Sequence, residues 1–233
     1  MDTKDKSLTD FITKKSDDEV INLALNHEEY IHRFQAMKTL INRDLLSEEI
    51  IFKYLEKDKE TGHRIVECIS NDDILTALSN NIKSYKASSI ADLRIKDLSH
   101  FEAIKECRGN ITETSNLVRL LSLPYSCYEL VMMDIPFKTK ELLLKHMSFV
   151  PRAIFHYKDY FSYEHVHDLF AKIGCSSLSW EIRLRALINT KVENIGLFYH
   201  IYQHDKSRNL RKALESHIDS SFDHLVNKIN PLK

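Results

Sequence analysis

A chain of 233 residues with only 4 glycines and 4 prolines has few of the turns that a many-stranded protein requires. What it offers instead is apolar residues at helical spacing. Val20, Leu23 and Ala24 form one set, Ile31, Phe34, Met37, Leu40 and Ile41 a second, and Ile50, Ile51, Tyr54 and Leu55 a third. The expected fold class is therefore all-α, and the first three sets predict three short helices in a row.

Polar clusters mark where helices should stop and start: Asn26-His27-Glu28, Asn42-Arg43-Asp44, the run from Lys57 to Gly62, and the run from Ser70 to Asp73. Ser47 and Asp73 read as helix caps. Further breaks are expected at Ser88-Ser89, Arg108-Gly109-Asn110, Pro124, Pro136, Pro151, Gly174 to Ser179, and Asp205-Lys206-Ser207. Helices of ~10–15 residues with short links are common to bundles and to stacked repeats.

An internal comparison favours stacking. Residues 30–69 read Tyr30-Ile31-His32-Arg33-x-x-Ala36, pass through Asp44-Leu45-Leu46, and reach Asp58-Lys59 with Arg64 beyond. Residues 180–218 read Glu181-Ile182-Arg183-x-x-Ala186, pass through Glu193-Asn194-Ile195, and reach Asp205-Lys206 with Arg211 beyond. Small or branched residues after an Arg recur at Ala36, Val66, Ala153, Ala186 and Ala213, around a ~30-residue unit. A small side chain lets helices approach. An Asp at a helix start can accept free backbone N–H groups and pair with an Arg one or two turns later, here Arg64 and Arg211.

This pattern resembles the HEAT and HEAT-like α-helical repeats, clearly over 30–78 and 180–226, while residues 84–150 depart from it. The resemblance implies an α-solenoid of stacked antiparallel helical hairpins, wound right-handed as a single superhelical domain. The expected organisation is a flexible N-terminal segment or short helix over 1–16 and a HEAT-like repeat domain over 17–230. The family brings no common catalytic residues, because its members mostly bind other macromolecules.

The 33 Lys and Arg nearly cancel the 34 Asp and Glu, so no global field draws the chain to nucleic acid or an anionic membrane. Cys68, Cys107, Cys127 and Cys175 stand singly, without zinc-site spacing, and read as reduced and mostly buried thiols. With no apolar leader after Met1 and no long apolar run, a cytoplasmic location is the default and no membrane partner is expected.

Glu29-x-x-His32 and Glu164-x-x-His167 have the spacing of di-metal helices, and His167-Asp168 echoes metal-dependent phosphohydrolases. Both read more simply as solvated helix faces, so no metal and no cofactor are assigned. Aromatic residues are densest from Phe155 to Tyr163, where Tyr157, Tyr160 and Tyr163 offer rigid contact area, and the single Trp180 opens the second repeat copy. Arg183, Arg185, Lys191, Lys206, Arg208, Arg211 and Lys212 outnumber the acids of 180–215, making a basic ridge on which Arg185, Arg208 and Lys212 are candidate binding residues. Gly-rich phosphate loops and nucleophile elbows are absent from the sequence.

The expected function is a non-catalytic interaction scaffold for a protein partner. The alternatives are a nucleic-acid-binding protein shaped like the helical-repeat DNA glycosylases, and a metal-dependent hydrolase of His-Asp type.

Overall fold

The computed structural model describes residues 3–58, 61–81, 85–107, 110–150, 163–190 and 195–216, with only the backbone described for residues 3–7, Tyr163, Glu164 and Ile195. Within these residues every regular element is a helix. In chain order they are α1 (Thr3–Thr13), α2 (Asp17–Asn26), α3 (Tyr30–Asn42), α4 (Glu48–Lys57), a 3-10 helix (Gly62–Cys68), α5 (Asp72–Ser79), α6 (Tyr85–Ser99), α7 (Phe101–Glu106), α8 (Ile111–Val118), α9 (Pro124–Met132), α10 (Phe137–Met147), α11 (Tyr163–Gly174), α12 (Trp180–Leu187), α13 (Ile195–His204) and α14 (208–216).

The helix starts follow from side chains that accept the free N–H groups of the first turn. Ser16 and Glu19 form a reciprocal capping box at α2, Ser47 accepts from Ile50 at α4, and Asn110 accepts from Glu113 at α8. Hydrogen bonds from the Ser16 backbone and from Lys15 hold the Glu19 carboxyl at about 2. At α5 the cap is Asn71, through a 3.1 Å bond to Ile74, and not the expected Asp73, which lies inside the first turn. Pro124 occupies the first turn of α9, where its missing N–H costs nothing. Asp44, at φ 56°, ends α3 in a Schellman arrangement: Leu45 N–H reaches Leu40 O and Asp44 N–H reaches Ile41 O. The break expected at Ser88-Ser89 is not there. Both residues lie inside α6, and Ser88 Oγ donates to Ser79 O at 2.6 Å, which ties α6 back to the end of α5.

Short connections pair α2 with α3, α5 with α6, α9 with α10, and α11 with α12. These hairpins then pack on neighbours: α3 and α6 on the 3-10 helix, α4 on α2, α10 on α8 and α12, and α9 on α6 and α11. A single apolar core runs from Ile12 through Met37, Ile65, Ile90, Leu130 and Phe170 to Ala186. A second, smaller core joins Leu187, Phe198, Ile201, Leu210 and Leu214 at the α13–α14 end. The N-terminal helix α1 packs on α3, with Ile12 fully buried and Arg43 donating to Thr13 O and Lys15 O.

The two similar stretches, 30–69 and 180–218, contain one shared device. Arg33 on α3 donates to His27 O and Glu28 O at the end of α2, and grips Asp58, just beyond α4, through Nε at 2.8 Å and through Nη2. Arg183 on α12 donates to Gly174 O at the end of α11, and grips Asp205, just beyond α13, through both Nη atoms. One guanidinium thus fastens three consecutive helices at each site. The Asp partner is therefore the upstream Arg of the preceding helix and not Arg64 or Arg211, which spacing along the chain predicts, and the Asp lies just beyond a helix, not at a helix start; Arg211 donates to the Asp205 backbone carbonyl. Ala36, Val66 and Ala186 are fully buried at helix contacts, Ala213 is half-buried, and Ala153 lies outside the described residues.

The cysteines are free thiols, but only Cys127 is fully buried; Cys68 and Cys107 are half-buried and Cys175 is exposed. Among the described residues no helix is long and apolar enough to cross a membrane.

Candidate functional site

Helix α10 forms the floor of a groove whose walls are the start of α8 and the end of α12. Packing of α10 on both neighbours buries Leu143, Leu144 and Met147 and turns Lys138, Glu141, Leu142 and Lys145 outward at helical spacing. Ile111, the first residue of α8, is 57% exposed, and Ile188, just past α12, is 47% exposed. Together these residues line a groove of about 530 Å³. Large apolar side chains left in water at one place are the usual mark of a contact surface.

The rim is electrostatically organised. Glu141 forms ion pairs with Lys138 Nζ at 2.9 Å through one oxygen and with Arg185 Nη2 at 2.5 Å through the other. The Arg185 guanidinium also lies 5.9 Å from the ring centroid of Phe137, which is 39% exposed. Arg185 is thus fixed in place by a carboxylate and an aromatic face.

Of the residues singled out in the sequence, Arg185 alone lines this groove. Tyr157 and Tyr160 lie outside the described residues, as does the side chain of Tyr163, whose backbone opens α11. Trp180 is half-buried at the start of α12, packed on the second core with Leu184 and Leu197. Arg208 and Lys212 are exposed on α14, one turn apart on the same face. They belong to the far end of the chain, so the predicted residues are divided between two places. Within the expected basic ridge, Arg183 and Arg211 are committed to Asp205, Arg185 is paired with Glu141, and Lys191 lies outside the described residues.

The histidines of the two metal motifs make local contacts, and the Glu164 side chain lies outside the described residues. His32 Nδ1 lies 2.8 Å from its own Glu29 and its ring stacks on His27, while His167 Nδ1 lies 3.1 Å from Asn189 O. Among the described residues, no three His, Cys, Asp or Glu side chains converge as a metal site would need.

A second polar cluster, which the sequence did not reveal, sits where the 3-10 helix, α6, α9 and α11 meet. Arg94 is fully buried and donates to Ile69 O at 3.0 Å, to Ser126 Oγ at 3.0 Å and to Glu129. Its guanidinium lies 5.4 Å from the Phe101 ring and 5.6 Å from the Tyr125 ring. Glu67, two residues before Ile69, is fully buried with Oε1 2.9 Å from His165 Nε2 of α11. Burial pushes the Cys68 thiol and the Tyr125 hydroxyl up and the Lys172 amine down, which favours the neutral form of each. Arg94 repeats part of the clamp made by Arg33 and Arg183, since it holds the carbonyl that follows one helix and a carboxylate on another.

The sequence signal for the groove was available at Ile111 and Ile188. Each is a large apolar residue at a helix boundary, left in water although Ile111 shares its face of α8 with the buried Thr114 and Val118. Compared with known proteins, the chain matches no family model, no curated protein and no solved structure.

Proposed function

We propose that the chain is a HEAT-like α-solenoid that works as a non-catalytic binding module, and that it docks a protein partner on the groove between α8, α10 and α12. Support for the repeat reading comes from the clamp at Arg33 and its counterpart at Arg183, built at the same point of two hairpins far apart in sequence. Support for the binding reading comes from one observation: Ile111 and Ile188, each about half exposed, border the same groove over Leu142. A monomer gains nothing by leaving them in water, whereas burying a large aliphatic side chain at an interface contributes about 1.5–3 kcal/mol.

Capture from the cells of origin, using the full chain, tests this. A partner protein retained by the wild type and lost with both Ile111→Glu and Ile188→Glu, each still fully helical by circular dichroism, is the expected outcome. Capture indifferent to both substitutions would sink the reading.

A second reading has its own observation. On α13 Tyr199 is 53% exposed next to the paired rings of His200 and His204, and Lys206, Arg208 and Lys212 follow as exposed cations. Exposed aromatic and basic groups on two successive helices suit a nucleic-acid strand. A gel shift that weakens with salt and vanishes in Arg208→Glu/Lys212→Glu would assign that role.

A further inference from the structure

We infer that the segment occupying the α8–α10–α12 groove is an amphipathic helix flanked by acidic residues; this rests on the protein-binding reading above and gives its partner a chemistry. Shape comes first. The described residues contain no sheet edge onto which an extended peptide could add a strand, whereas a trough with one helix as floor and two as walls is the geometry that receives an apolar helix face. Leu142 on the floor and Ile111 and Ile188 on the walls would meet apolar residues repeating every three or four positions along the partner.

Charge selects among such helices. The groove carries three cations, Lys138, Lys145 and Arg185, against one carboxylate, Glu141. That carboxylate already faces Lys138 with one oxygen and Arg185 with the other, so its charge is largely offset within the groove. Lys145 is exposed one turn beyond Leu142, and the Lys138 side chain is 70% exposed one turn before it. A partner with Glu or Asp on both sides of its apolar stripe would meet a cation at each end of the floor helix. A partner with Lys or Arg there would meet an excess of like charge, since Glu141 offsets only one of the three cations.

Two labelled peptides of about 16 residues, carrying the same leucine stripe and differing only in Glu or Lys flanks, provide the probe. Fluorescence anisotropy with the full chain at about 0.1 M salt should show the Glu-flanked peptide binding at least about tenfold tighter than its Lys-flanked twin. Lys145→Glu should narrow or reverse that preference, and Ile188→Glu should weaken both peptides by about tenfold or more. Equal binding of the twins, binding indifferent to Ile188→Glu, or no binding of either overturns the inference. A concentration-dependent dimer in sedimentation that Ile188→Glu abolishes would overturn it too, by giving the groove to a second copy. If the peptides fail while capture of a native protein still depends on Ile111 and Ile188, only the acidic-helix inference falls; if both fail, the protein-binding reading falls with it.

Discussion

Arg33 and Asp58 are 7% exposed each, so the two charges depend on one another and not on water. Removing one partner strands the other, and Asp58→Ala should cost about 3–5 kcal/mol in urea unfolding, while the apolar pair Arg33→Met/Asp58→Leu should cost less than the single change. The counterpart at Asp205 adds a pH dependence. Burial alone would raise that carboxyl, but the hydrogen bonds from Arg183 and the Ser207 backbone, with the charges of Arg183 and Arg211, leave it below the usual range. A carboxyl depressed in the folded state stabilises above the unfolded value of about 3.9 and loses that contribution as pH falls through the folded value. The stability difference between wild type and Asp205→Asn should therefore be constant from neutral pH down to about 4 and shrink below it. Arg33, Asp58, Arg183 and Asp205 were all visible as repeated letters, but spacing along one chain could not say which helix lies across from which, and the pairing was assigned to the wrong arginines. Arg94 went unnoticed because a single Arg within α6 reads as a solvated residue. Its signal was the stripe Ala87, Ile90, Ala91, Arg94 and Asp97, one continuous helical face that is buried throughout.

Helices α11 and α12 meet more closely than ordinary side chains allow, and Gly174 is the reason. A Cβ there would lie 2.5 Å from Leu187 Cγ, inside the core, whereas one at Gly196 near the start of α13 would meet nothing within 4 Å. Gly174→Ala should cost about 1–3 kcal/mol through overpacking. Gly196→Ala should cost nothing and gain up to about 1 kcal/mol from better helix propensity. Thermal and urea unfolding of the two variants would separate the cases, and equal effects would mean that the α11–α12 contact is looser than described. Element boundaries were largely legible, since Asn26, Asn42, Pro124, Pro136 and Gly174 fall at or beside helix ends. The exception at Ser88-Ser89 has a physical cause: serines inside a helix can bond to nearby carbonyls or to a neighbouring turn, so a Ser pair alone does not terminate one. The groove was barely legible, because it depends on which outward faces of α8, α10 and α12 come together, and periodicity reports only the inward ones.

At the scale of the whole molecule, the division of the core carries the strongest consequence. The larger cluster spans α1 to α12, while Leu187, Phe198, Ile201, Leu210 and Leu214 form a separate one that supports α13 and α14. Arg183 crosses between them: it holds Gly174 O on the larger side and Asp205 on the smaller. When each unit is held chiefly by its neighbour, terminal units open at lower free energy than central ones. Native-state hydrogen exchange should accordingly find the amides of α13 and α14 opening together, ahead of those of α6 and α9, whose surroundings include the buried Arg94. Asp205→Asn should speed exchange in α13 and α14 and leave α3 to α10 unchanged, because its partner Arg183 is the tie between the two cores. Asp58→Asn acts inside the larger cluster and should instead speed exchange across α2, α3 and α4 together. If Asp205→Asn accelerated exchange evenly along the chain, α13 and α14 would belong to a single cooperative unit with the rest, and the row-like reading of the fold would lose its energetic basis.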